Sequence, residues 1–174
     1  GFSEKPFNMT PDPNFLFLGP CHREALASIL YGVRERQGLI CVIGEVGTGK
    51  TTLLNAVTQQ LDRSTRIAYL AYPVPDSHDI LTLILLELGL IEAGEKLSEA
   101  EAWHCLNRFC LETWSSGGNV VIMVDEAQGL DHSSLEKVRL LSNLETHKYK
   151  LIQIVLSGQP QLSSILENPD LSQL

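Results

Sequence analysis

A chain of 174 residues, 44% hydrophobic and 20% charged, has the composition of one globular domain with a substantial core and is short for two. Its formal net charge of −8, from 21 acidic and 13 basic residues, argues against a broad basic surface for wrapping duplex DNA; a nucleic-acid partner stays open but not favoured. The longest apolar run, 80–91, is interrupted by Thr82, Glu87 and Gly89 and falls short of the ~18 residues of a membrane span, and the opening residues show no apolar signal segment. Cys21, Cys41, Cys105 and Cys110 have no C-x-x-C spacing, so buried reduced thiols and a cytoplasmic location are expected.

The chain opens on an extended arm, about residues 1–20, in which KPFNMTPDPNF carries three prolines. From 21 to 36, Leu26, Ile29, Leu30 and Val33 recur at helical spacing, and Gly38 ends the run. LICVIG (39–44), short, branched and closed by glycine, predicts a buried strand, with a helix following at 50–61. RIAYLAY (66–72) predicts a second strand closed by PVPD, and 79–90, apolar nearly all round, predicts a buried helix. Ser98 and Glu101 have capping-box spacing and open a helix to about Trp114, which Gly117 and Gly118 break. NVVIMVDEA (119–127) predicts a third strand, and DHSSLEKVRLLSNLE a helix starting near 131–133. LIQIVLSG (151–158) predicts a fourth strand, with a short helix at 160–167. Strands alternate with helices, and the strand runs lack period-two polarity. That pattern implies an α/β fold, a parallel sheet covered on both faces, with one domain spanning 1–174.

GEVGTGKTT (44–52) sits between the first strand and its helix and fits G-x-x-x-x-G-K-[ST], with Gly44, Gly49, Lys50 and Thr51 at the fixed positions. A triphosphate carries several negative charges, and desolvating them needs many oriented donors. Gly44, Glu45, Val46, Gly47, Thr48 and Gly49 form a loop able to curl its N–H groups inward. The helix that follows adds its positive end through Lys50, Thr51 and Thr52. Lys50 is expected to reach the β- and γ-phosphates of ATP, and the Thr51 hydroxyl to ligate Mg²⁺. A plain glycine-rich turn with a solvated lysine is the alternative, and the flanking strand and helix argue against it.

Asp125 and Glu126 lie at the end of the third strand run, and parallel sheets bind ligands at the carboxyl ends of their strands. Asp125 suits the Mg²⁺ shell, the Walker-B role, and Glu126 suits a general base that activates water against the γ-phosphate. Two solvated carboxylates would be the natural reading if no phosphate loop were present. The base-reading N-K-x-D of GTPases is absent. LSGQP (156–160) superficially resembles the LSGGQ signature of ABC transporters but lacks its second glycine and follows Asp125. A small-molecule kinase has no need of the acidic pair, so ATP hydrolysis is the expected chemistry.

One extra strand, 66–72, separates the two motifs, and in this the chain resembles the AAA+ ATPases. The resemblance implies a three-layer P-loop sandwich with sheet order 5-1-4-3-2. It also implies a catalytic γ-phosphate sensor at the end of the fourth strand. Ser157 is preferred there for its polarity, and Gln159 stays open. GFSEKPFNMTPDPNFLFLGPCHREALASILYGV, GEVGTGKTTLL, VDEAQ, LLSNLE and QIVLSGQPQL are similar, in order, to blocks of the bacterial ExeA-like, general secretion pathway protein A ATPases. This second resemblance covers nearly the whole chain. It implies a homo-oligomerising Mg-ATPase whose partners belong to envelope secretion or export, anchored at the inner membrane in some relatives. More distant relatives assist DNA transposition, and a nucleotide-gated scaffold with little turnover is a third reading. The resemblance further implies that His22 or Arg23 approaches the adenine. It places the fifth strand, the helical lid, the sensor-2 arginine and the arginine finger beyond Leu174, so weak hydrolysis is expected of these 174 residues alone.

Overall fold

The computed structural model describes residues 19–71 and 79–167. The expected N-terminal arm and the PVPD closure lie outside that range, apart from the arm's last two residues. Helix α1 (Pro20–Arg34) starts on a proline, which is tolerated in the first turn because no partner is needed for its missing N–H. Strand β1 (Leu39–Ile43) leads through the glycine-rich loop into α2 (Lys50–Gln60), and β2 (Thr65–Leu70) follows. Helix α3 (Ile80–Glu87) is shorter than expected, because the chain turns at Gly89 with φ 69°. Then come α4 (Glu99–Ser115), β3 (Asn119–Val124), α5 (His132–Ser142), β4 (Ile152–Gly158) and α6 (Gln161–Leu166).

The four strands are parallel and lie in the order β1-β4-β3-β2, the 1-4-3-2 part of the expected sheet. Side chains of a strand alternate between faces, so each central strand feeds two cores. On one face Val121, Met123 and Val155 pack against α1 and α2 through Leu30, Leu54 and Val57. On the other face Ile122, Ile154 and Leu156 meet Leu81, Leu106 and Leu141, from α3, α4 and α5. Every residue of β4 is buried, which accounts for its largely apolar run; Ser157 is a polar exception toward its end and Gln153 another toward its start. Its Oε1 accepts from Gly38 N–H at 2.9 Å and its Nε2 donates to Lys150 O at 3.1 Å, so the amide enters the core satisfied. Among the described residues no helix is long and apolar enough to cross a membrane.

Lys137 of α5 joins the starts of two neighbouring helices. Its ammonium lies 2.7 Å from Asp79, the N-cap of α3, and 3.5 Å from Glu99 in the first turn of α4. The expected capping box is formed: Ser98 Oγ accepts from Glu101 N–H at 3.3 Å, and Glu101 Oε2 accepts from Ser98 N–H at 2.8 Å. Ser98 Oγ also donates to Glu101 Oε2 at 2.6 Å, and this hydroxyl bond, with the bond from Ser98 N–H, holds the Glu101 carboxyl below its ordinary value. Ser98→Ala removes the N-cap of α4 and should destabilise the domain by about 1 kcal/mol at neutral pH. A depressed folded pKa contributes stability that is present above the unfolded carboxylate pKa and lost as pH falls through the folded one. The penalty of Ser98→Ala should accordingly shrink in acid, as read by urea denaturation at neutral pH and below the folded pKa.

Candidate functional site

Register brings the two motifs together. Ile43 of β1 pairs with Gly158 of β4, and Leu156 of β4 pairs with Val124 of β3, so all three strands release their chains at one edge. Gly44 N–H donates to Gly158 O at 3.1 Å and Asp125 N–H to Leu70 O at 2.9 Å, which extends the ladder into the loops. Glu45 to Thr48 form an exposed arch, with Thr48 Oγ1 donating to Glu45 O at 2.8 Å. Gly49 then takes φ 83°, a left-handed conformation closed to most side chains, and α2 begins at Lys50. Thr52 lies in the first turn of α2.

Lys50 is folded back under the arch and is only 8% exposed. Its Nζ donates to Gly44 O at 2.8 Å and Glu45 O at 2.9 Å. One residue on, Thr51 Oγ1 donates to Asp125 Oδ2 at 2.5 Å. Asp125 is 2% exposed, and its other oxygen accepts from Glu126 N–H at 3.0 Å. A hydroxyl and a carboxylate in contact are hard oxygen donors, the set that suits Mg²⁺.

The third strand ends at Val124, three residues sooner than expected, for a local reason. Asp125 turns its carboxylate onto the following N–H, and Glu126 enters the left-handed region at φ 51°. A short 3-10 turn, Ala127–Gly129, follows. Glu126 Oε2 receives Gln128 Nε2 at 2.5 Å and Gln159 Nε2 at 3.3 Å. These bonds, Gln128 first, hold the Glu126 carboxyl below the usual carboxylate range.

Ser157, on the same face of β4 as Val155, pairs with Val42 in the adjoining ladder. It is fully buried, and its Oγ has no hydrogen-bond partner among the described residues. Of the two residues weighed at the end of the fourth strand, Gln159 is the one that touches Glu126. Beside β1, toward α1 and α2, a cavity of about 370 Å³ adjoins the arch, bounded by His22, Ala25, Val42, Thr48 and Leu53. His22 reaches the arch itself, with Nε2 at 2.7 Å from Thr48 O. A carbonyl only accepts, so Nε2 carries the proton in this contact.

Residues 33–166 match the AAA domain family. The chain belongs to that family. General secretion pathway protein A of Aeromonas hydrophila is 42% identical over 177 residues, covering 100% of this chain and 32% of the relative. The chain thus spans about a third of that relative's length, and the expected kinship is borne out. Among solved structures, the Aeropyrum pernix ORC2 protein, in ADPNP-ADP complexes, matches 97% of this chain and 48% of its own at 17% identity and TM-score 0.67. Cdc6p from Pyrobaculum aerophilum matches 97% of this chain and 45% of its own at 18% identity and TM-score 0.66. These likenesses concern the fold, the parallel α/β architecture of P-loop ATPases.

Two contacts of the AAA domain were not read from the sequence. Gln128 stands inside the quoted VDEAQ, yet its partner at Gln159 is distant in the chain, and no local spacing announces it. The His22–Thr48 contact likewise joins residues 26 apart. Gly158 is the hidden requirement of the first: a Cβ there would meet Gln128 Oε1 at 2.8 Å and Leu162 Cδ2 at 2.8 Å. Gly158→Ala should destabilise the domain by roughly 1–3 kcal/mol through overpacking, measured by denaturant unfolding.

Proposed function

We propose that this AAA domain is the Mg-ATP-binding and hydrolysing core of an oligomeric ATPase that serves bacterial envelope secretion or export. The observation that carries the reading is the contact between Thr51 and Asp125, which joins the glycine-rich loop to the acidic end of β3. Loop N–H groups from Gly44 to Gly49 and the start of α2, including Thr52, bind the phosphates, and Lys50 supplies the fixed cation. Thr51 and Asp125 would hold Mg²⁺, which when bound neutralises charge between the β- and γ-phosphates. Glu126 takes the proton of the attacking water, and Ser157 stands as the polar group at the end of β4 on the γ-phosphate side. The export assignment rests on the kinship with general secretion pathway protein A, and the ORC2 complexes add that this fold accommodates adenine nucleotides elsewhere.

Calorimetry and single-turnover hydrolysis with Mg-ATP test the reading. Lys50→Ala should weaken ATP affinity roughly 10- to 100-fold, the worth of one or two charge-assisted hydrogen bonds. Unchanged affinity would remove the phosphate-loop assignment. Glu126→Gln should keep affinity and slow hydrolysis by about 10²-fold or more, since shape is retained and the base is lost. Binding weakened as far as in Lys50→Ala would show that Glu126 is not the base. Unaltered slow turnover would favour a nucleotide-gated scaffold.

A further inference from the structure

Gln128 makes two hydrogen bonds with one amide. Its Oε1 accepts from the backbone N–H of Gln159 at 3.0 Å, and its Nε2 donates to Glu126 Oε2 at 2.5 Å. The orientation of the amide is settled by its partners. A backbone N–H requires an acceptor and an ionised carboxylate requires a donor, so the flipped amide would lose both bonds. Gly158 leaves the room that the Oε1 occupies. Glu126 itself sits at φ 51°, a conformation uncommon for a residue with a Cβ and maintained only when its surroundings over-determine it. Asp125 restrains its N–H and Gln128 its carboxylate.

From this geometry we infer that Gln128 is a positioning residue for hydrolysis, tying the carboxylate of Glu126 to the end of β4. The inference rests on the proposed role of Glu126 as the base. With Oε2 engaged by Gln128 and, at 3.3 Å, by Gln159, Oε1 is the oxygen left to accept a proton from water. A carboxylate on a two-carbon stem has several rotamers, and a base that wanders loses the gain of fixed orientation. The amide also makes the base's position follow the turn between β4 and α6. That turn is anchored by Leu162, fully buried in the core.

Single-turnover hydrolysis of Mg-ATP, with ATP affinity measured alongside, tests this on the 174-residue chain. Gln128→Ala and Gln128→Met should each lower the hydrolysis rate about tenfold while ATP affinity stays within about twofold. The methionine variant keeps the volume of the side chain and removes its polar atoms, so a loss common to both is not a packing defect. Gln159→Ala should cost less, because it removes only the longer bond. The same Gln128 substitutions made on Glu126→Gln should lower the rate no further, since a residue acting through the base has nothing left to position. Hydrolysis unchanged or faster in the Gln128 variants would overturn the inference, as would a further tenfold loss on Glu126→Gln. A larger loss from Gln159→Ala than from Gln128→Ala would overturn it too, by making Gln159 the main support. Absence of ATP hydrolysis in the unaltered chain would remove the proposed function and this inference together. Normal hydrolysis abolished by Glu126→Gln but indifferent to Gln128 would remove the inference alone.

Discussion

The hydrogen bond from Thr51 to Asp125 is possible only because two distant strand ends are held level. Asp125 follows β3, Thr51 lies in the first turn of the helix after β1, and β4 lies between these strands and pairs with both. The parallel ladder fixes the height at which each strand stops. A slip of one residue would carry Asp125 to the opposite face and bury a carboxylate among the helices of the wrong layer. The completely buried β4 guards against that slip, since its alternate residues are committed to two different cores. Packing energy and site geometry are therefore set by one register.

The cores also explain why the acidic end of β3 can be so dry without being unpaired. Asp125 is enclosed, but its two oxygens accept from Thr51 and from the next N–H of the chain. Both partners are neutral, so the carboxylate is solvated by the protein without a neighbouring cation cancelling its charge. Lys50, the nearby cation, is engaged with carbonyls of its own loop. Charges of both signs are thus presented at one sheet edge without collapsing onto each other.

Much of this was legible from residue order. The glycine-lysine-threonine loop, the apolar runs of β1 and β3 and the Ser98–Glu101 box are local signals, and local physics produces them. The limits of the reading are equally physical. Nothing in the run NVVIMVDEA says that the strand stops at Val124, because the stop comes from Asp125 capping its neighbour and Glu126 turning left-handed. The role of Gln128 depends on β4 lying beside β3, a matter of topology that is invisible in the order of residues around it. Ser157 was legible as a polar residue at a strand end, whereas the choice of Gln159 to meet Glu126 needed the turn after β4 in three dimensions.

The folded-back Lys50 has a thermodynamic implication of its own. A free lysine side chain retains many rotamers, and immobilising it costs on the order of 1–2 kcal/mol of entropy. In this domain the two carbonyl contacts already restrict the ammonium, so that loss falls on folding and not on the capture of an anion. Part of the ordering cost of anion capture is thereby moved into the stability of the domain. The arch around it is exposed, so an anion reaches the loop without displacing packed side chains. A preordered charge beneath an exposed rim lets recognition proceed with little ordering of the cation itself.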